Sequence, residues 1–285
     1  MLQQNWRELA RAVFSQFQKD DMAGEAAKLA FYLVFAIFPF LLFVTAVLGV
    51  TLQSASVLRG AIDQYLIEIA PTDAAELIAK TLDNVTKQSS GQKLSFGLLF
   101  SLSAASRGML GLMRALNVAY EVGERRKWWK ARLVAIGLTL GLSLLISIAL
   151  VLVMIGGPFA VNLAEKIGIG EAAAWTWNIL RWPIILLLLV FSFNLLYVYA
   201  PNLKRRKWHS LMPGTLIAVA LWALMSMGFK LYLSHFNHYS GTYGSIGAVI
   251  ILLTWLYASA AAILIGAEIN AELEIAADNV QQKEA

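Results

Sequence analysis

Three observations predict an all-α integral membrane protein, a bundle of six transmembrane helices with amphipathic interfacial helices. The first is composition: 59% of the 285 residues are hydrophobic and only 14% are charged. Soluble domains carry roughly 25% charged and roughly 45–50% apolar residues, so this excess fits a chain surrounded mainly by lipid. The second is length: apolar stretches recur at about 20 residues, the number a helix needs to cross a hydrocarbon core of about 30 Å. The third is charge placement: the net charge of +5 comes from short basic clusters beside the apolar stretches. There they face anionic headgroups more simply than nucleic acid.

Six spans follow, near 26–51, 95–119, 133–156, 177–199, 211–233 and 244–267. With the N-terminus inside, one side collects Arg7, Arg11, Lys19 and Lys28, then Arg125, Arg126, Lys127, Lys130 and Arg132, then Lys204, Arg205, Arg206 and Lys207. The other side holds Arg59, Lys80, Lys87 and Lys93, spread over a long loop, and Lys166. The asymmetry predicts both termini on the cytoplasmic side of the membrane. Trp128, Trp129 and Trp208 suit inner interfaces, and Trp175, Trp177 and Trp182 an outer one. Charges run through residues 1–24, so no cleavable signal peptide is read and the first span is expected to act as its own signal.

Three segments lie outside the spans. Residues 4–18 set Trp6, Leu9, Val13 and Phe17 near one helical face, which suits either the inner leaflet or the protein's own inner end. Residues 54–88 read as a two-helix outer cap, broken at Pro71 and restarted by Asp73 with Glu76. The acidic stretch after Glu268 is expected to extend the last helix and then fray. No soluble domain can be separated, so 1–285 reads as a single membrane domain.

Ionisable groups inside spans are costly and mark partners or pathways. On the second span Ser103, Ser106, Arg107, Arg114 and Asn117 share a stripe about 100° wide. Arg107 lies near the midplane, roughly 18 Å along from Ser95. The stripe is expected to face protein or water. Two readings stay open: it binds an anionic headgroup or substrate, or it ties helices together. Beside it Ala104, Gly108, Gly111 and Ala115 form a small-residue stripe that permits close helix approach. Arg114 is placed at the depth of Glu25, Lys28 and Glu268, so these four are expected to form an inner-face ion cluster. Lys230 is read as snorkelling. Pro39 kinks the first span, as a hinge or a fixed shape. Gly241, Gly244 and Gly247 around Tyr243 suggest close packing where the sixth span begins.

Enzyme chemistry finds little footing. The chain has no cysteine, and His209, His235 and His238 lack the carboxylates that would complete a metal set. No phosphate-cradling glycine motif occurs. No catalytic residue, metal site or cofactor is therefore expected. The expected partners are membrane lipids, anionic ones included, with no specific nucleic acid.

Several stretches together resemble the YihY/BrkB family of bacterial inner-membrane proteins, formerly labelled ribonuclease BN-like. They are AAKLAFYLVFAIFPFLL from Ala26, RALNVAYEVGERRKWWKAR from Arg114, and YGSIGAVIILLTWLYASAAAILIGAEINAELE from Tyr243. YVYAPN at 197–202 and MPGTL at 212–216 also fit. The resemblance implies six spans, and by analogy the handling of envelope lipids or amphiphiles. The expected function is transport or flipping of an anionic amphiphile, with a non-transporting scaffold in envelope assembly as the alternative. Ribonuclease activity is not expected, since the sequence shows no clustered metal ligands or water-facing acid–base groups.

Overall fold

A computed structural model describes residues 6–36, 91–154, 170–203, 208, 210–235 and 239–284. Among them every regular element is an α-helix. They are α1 (Trp6–Lys19), α2 (22–36), α3 (Gly91–Ala119), α4 (Trp128–Met154), α5 (Gly170–Tyr199), α6 (Met212–His235) and α7 (Tyr239–Glu284). Among the described residues, four stretches are long and apolar enough to cross a membrane: Trp128–Val153, Trp175–Tyr199, Met212–Tyr232 and Val249–Ala277. They match the third to sixth predicted spans. α2 and α3 coincide with the start of the first span and the whole of the second. The remainder of the first span, Pro39 and the 54–88 cap lie outside the described residues. The acidic stretch does extend α7, which runs unbroken to Glu284.

The chain divides into two compact units. One comprises Met1–Ala36, Ser106–Leu138 and Val190–Ala285. Its centre is the antiparallel pair of α6 and α7. Gly214 of α6 and Gly266 of α7 let the two backbones meet: a Cβ built on either would strike the other's carbonyl oxygen. Ala218 and Tyr197 fill the remaining space over Gly266. Further along, Trp222 donates to Ser259 Oγ at 3.1 Å and Trp255 donates to Ser226 Oγ at 3.4 Å, with the two indoles edge to face. Small residues for approach and indole–hydroxyl bonds across the seam are how apolar helices associate without a water-driven term.

Two smaller contacts complete this unit. α1 docks on α7 rather than lying free: Leu9 is buried and joins Val13 and Phe17 around an apolar cavity shared with Ile217, Ile265 and Ile269. Asp21 joins α1 to α2 at φ 48°, and its carboxylate accepts the Gly24 N–H at 3.3 Å as an N-cap. α2 then packs on the small stripe of α3, with Ala36 over Gly108 and the Tyr32 ring over Gly111.

The other unit comprises Ile37–Ala105 and Thr139–Leu189. Its described part is the first half of α3, the later part of α4 and most of α5. Leu140, Leu144, Ile148 and Leu150, like Ile179, Leu186 and Leu187, are exposed, as a lipid-facing surface requires. Buried Ser143 and Ser147 donate back to the carbonyls of Thr139 and Ser143, at 2.6 and 2.7 Å.

Candidate functional site

α3 presents the predicted polar stripe, but not as one environment. Ser106 is fully buried, Asn117 buried and Ser103 half-buried, while Arg107 and Arg114 are exposed. At about 100° per residue, Ser106 and Asn117 lie about 80–100° round the helix from Arg107. The stripe therefore straddles the edge of the packed face instead of lying inside it. Most of the remaining circumference is covered: Ala105, Leu112, Met113, Ala115 and Leu116 are all buried. What remains open is a narrow strip holding Arg107, Arg114 and Val118.

Among the described residues, the four groups of the expected ion cluster do not all come together. Glu25 bonds Lys28 at 2.7 Å within α2. Arg114 lies on the open strip and makes no ion pair with Glu25 or Glu268, whose carboxylate is wholly buried with neither oxygen bonded. Shared depth along the helix axes suggested the cluster, and depth does not fix which way a side chain turns. Met113 and Ala115, the neighbours of Arg114, face the packed side and leave it outside.

The polar groups that do converge belong to the motif stretches, at the end of the unit where α3, α5 and α7 carry their basic and acidic flanks. α3 ends in a Schellman turn, with Glu121 N–H on the Val118 carbonyl and Val122 N–H on that of Asn117, both at 2.9 Å. The left-handed residue is Glu121, at φ 48°, where glycine is usual. Its carboxylate accepts Gln16 Nε2 at 2.5 Å and Lys19 Nζ at 3.2 Å, which fastens this turn to α1. The Glu121 hydrogen bond holds the Lys19 ammonium above its ordinary range.

The turn then reaches α5. Arg126 grips Glu124 through two bonds of 2.8 and 2.7 Å. Its Nη atoms also donate to the carbonyls of Tyr199 and Ala200, at 3.3 and 2.8 Å. A cation on the last carbonyls of a helix meets the negative end of its dipole. The Arg126 bonds hold the Glu124 carboxyl below its ordinary value, and Asn117 Nδ2 adds a bond at 3.1 Å. Asn117 Oδ1 accepts the Asn202 N–H at 2.7 Å, and Asn202 Nδ2 returns a bond to the Gly123 carbonyl at 3.0 Å. Asn117 is thus the hub of the α3–α5 junction. α7 is tied to the same end: Tyr197 donates to the Ile263 carbonyl at 2.7 Å, and Asn270 Oδ1 accepts the Gly214 N–H at 2.8 Å.

Beside this junction opens a cavity of about 1000 Å³, lined by Lys19, Tyr120, Glu121, Arg125, Glu268 and Glu272 among others. Burial pushes the Tyr120 hydroxyl well above the ordinary tyrosine range. Sequence reasoning missed the clamp of Arg126, which it counted only as a basic flank, the buried amides Asn194 and Asn270, and the half-buried Asn202. It also passed over Arg181 of α5, whose Nη1 donates to the Val153 carbonyl of α4 at 3.1 Å and whose Nε is buried without a partner. The available signal was the position of polar residues within otherwise apolar motifs, as in YVYAPN and GAEIN. Lys230 is exposed, in keeping with snorkelling. The surroundings of Gly241, Gly244 and Gly247, and the side chains of His209, His235 and His238, lie outside what is described.

The family model described as virulence factor BrkB matches residues 13–285, and the chain belongs to that family. Among its relatives is the ribonuclease-like protein YfkH of Bacillus subtilis (strain 168), 35% identical over 92% of this chain and 94% of the relative. A UPF0761 membrane protein of Aeromonas salmonicida (strain A449) is 25% identical over 92% of this chain and 87% of its own length. One from Photobacterium profundum is 28% identical over 90% of this chain and 78% of its own length. No solved structure matches significantly.

Proposed function

We propose that this BrkB-family chain is a six-span protein of the bacterial inner membrane, both termini cytoplasmic, that moves or flips an anionic amphiphile of the cell envelope. One observation carries the reading: α3 is covered on most of its circumference, and the strip left open holds two guanidinium groups. Arg107 lies 12 residues before the end of α3 at Ala119, roughly 18 Å along the axis. A guanidinium turned to lipid at that depth costs at least about 2.5–3.5 kcal/mol. An anionic headgroup or water in the strip removes that cost, and the planar fork suits phosphate or carboxylate. Arg114 lies two turns nearer the basic end and extends the same track.

The reading gives the chain no catalytic chemistry. The name of the Bacillus relative suggests RNA cleavage, but two carboxylates of the second motif stretch are engaged otherwise here: Glu124 is held by Arg126, and Glu121 by Gln16 and Lys19. Native mass spectrometry of the protein released from membranes tests the reading. Wild type should retain anionic lipid, Arg107→Lys should retain less, and Arg107→Leu should lose it while staying folded. Equal lipid retention by folded wild type and Arg107→Leu would leave Arg107 a structural residue and favour a non-transporting scaffold.

A further inference from the structure

The cavity beside the α3–α5 junction contains a group for which the junction has no use. Glu268 is 0% exposed, and both its carboxylate oxygens lack a hydrogen-bond partner. It nevertheless lines the cavity, together with the half-buried Glu272 one turn further along α7. A buried carboxylate with no donor cannot stay ionised cheaply: it finds a cation, accepts bonds, or takes up a proton.

Among the described residues, the cations nearby are committed elsewhere or kept away. Lys19, from α1, is bound to Glu121. Arg126 is spent on Glu124, the exposed Arg125 makes no ion pair with Glu268, and Arg114 lies on the open strip of α3. Among the described residues, the other charged groups that line the cavity or act on Glu268 are acidic: Asp20 at the end of α1, Glu121 in the turn after α3, and Glu272 and Glu274 on α7. From Met212 to Leu224, the end that faces them, α6 carries no charged residue. Among the described residues no three His, Cys, Asp or Glu converge as ligands for a metal ion. Asn270 and Tyr120 add a buried amide nitrogen and a hydroxyl that are themselves unpartnered.

We infer that Glu268 is a proton-binding site: its carboxylate takes a proton from hydronium in the cavity, leaving water, and α7 holds the resulting neutral acid buried. The observation behind it is a fully buried, unpaired carboxylate at an opening about 1000 Å³ in volume, among further carboxylates. The volume is ample for water, which gives the proton a route in and out. The neutral form gains an O–H donor, which the cluster of acceptors can use. The site does not depend on amphiphile movement and would serve a scaffold or a carrier equally.

Infrared spectroscopy of the full chain in lipid nanodiscs tests this. At neutral pH the wild type should show the carbonyl stretch of a protonated carboxylic acid, shifted on exchange into D₂O. Glu268→Gln should abolish the band, and Glu272→Gln should leave it. Should Glu268→Gln fail to fold, Glu268→Asp should move the band in frequency. A neutral-pH spectrum without the band, or with a band indifferent to both Glu268 variants, would overturn the inference. So would loss of the band when sodium replaces choline at constant pH, which would make Glu268 a site for an alkali cation instead.

Discussion

Among the described residues, the two compact units differ in how far their polar groups reach for partners. In the unit built on α6 and α7, hydrogen bonds join parts of the chain far apart in sequence: Arg126 to Ala200, Asn202 to Gly123, Tyr197 to Ile263, Gly214 to Asn270. In the other unit, buried Ser143 and Ser147 and exposed Thr176 each bond the carbonyl four residues back in their own helix, and Arg181 of α5 reaches the Val153 carbonyl of α4. The first pattern fixes helices against one another. The second leaves a helix self-sufficient, its outer surface apolar and its neighbours interchangeable. Among the described residues, the first unit is cross-braced at several points and the second at Arg181.

The sharpest way to break this contrast is at the glycine crossing. A Cβ on Gly266 would meet the Tyr197 hydroxyl and Ala218 Cβ, and would lie 2.7 Å from the Gly214 carbonyl oxygen. Backbone cannot give way as a flexible side chain can. Gly266→Ala should therefore cost about 3 kcal/mol, the upper range for overpacking, and the displaced Tyr197 should lose its bond to Ile263. Thermal unfolding in detergent, followed by tryptophan fluorescence, measures it. Unchanged unfolding would mean that α6 and α7 are not locked at this point.

The next effect is at Arg126. Its side chain is only 10% exposed and joins Glu124 to the α5 terminus. Arg126→Ala should destabilise by about 2 kcal/mol, in the range of charge-assisted hydrogen bonds. The pH dependence gives an independent check. The folded Glu124 carboxyl titrates below its unfolded value of about 4.3. Its contribution is complete above that value and is lost as pH falls through the folded one. Wild type should lose that stability on acidification, and Arg126→Ala should show less of the loss. Parallel acid profiles would remove Arg126 as the cause.

How much of this was legible in the sequence follows the same division. Spans are written in long apolar runs, and α4 to α7 fell where those runs lie. The small-residue stripe of α3 was readable too, because a helical period alone puts Gly108 and Gly111 on one face, where Ala36 and Tyr32 now sit. Azimuth was harder. The polar stripe was placed correctly on the helix, yet its two edges meet different surroundings. Long-range bonds were the least legible: nothing local in RALNVAYEV says that Asn117 accepts a bond from Asn202. Arg126 was hidden by its company, one inward-turned arginine in a run of basic residues.

The smallest effect belongs to the self-bonded helix. Ser143 is 2% exposed and donates to the Thr139 carbonyl at 2.6 Å. That carbonyl is also the natural acceptor of the helix N–H at position 143, so removing the hydroxyl strands no backbone group. Alanine fits the space and favours the helix slightly more than serine. Hydrogen bonds measured inside membrane bundles are themselves modest, about 0.6 kcal/mol on average. Ser143→Ala should therefore shift stability by no more than about 0.5 kcal/mol, although the residue is as buried as those of the α6–α7 seam. The comparison is best made in one experiment with Trp222→Phe, whose indole spans from α6 to Ser259 on α7. If burial alone set the effect, Ser143→Ala should rival it. If bonds between helices set it, only the tryptophan variant should loosen the fold. Equal losses would show that the second unit is braced as firmly as the first.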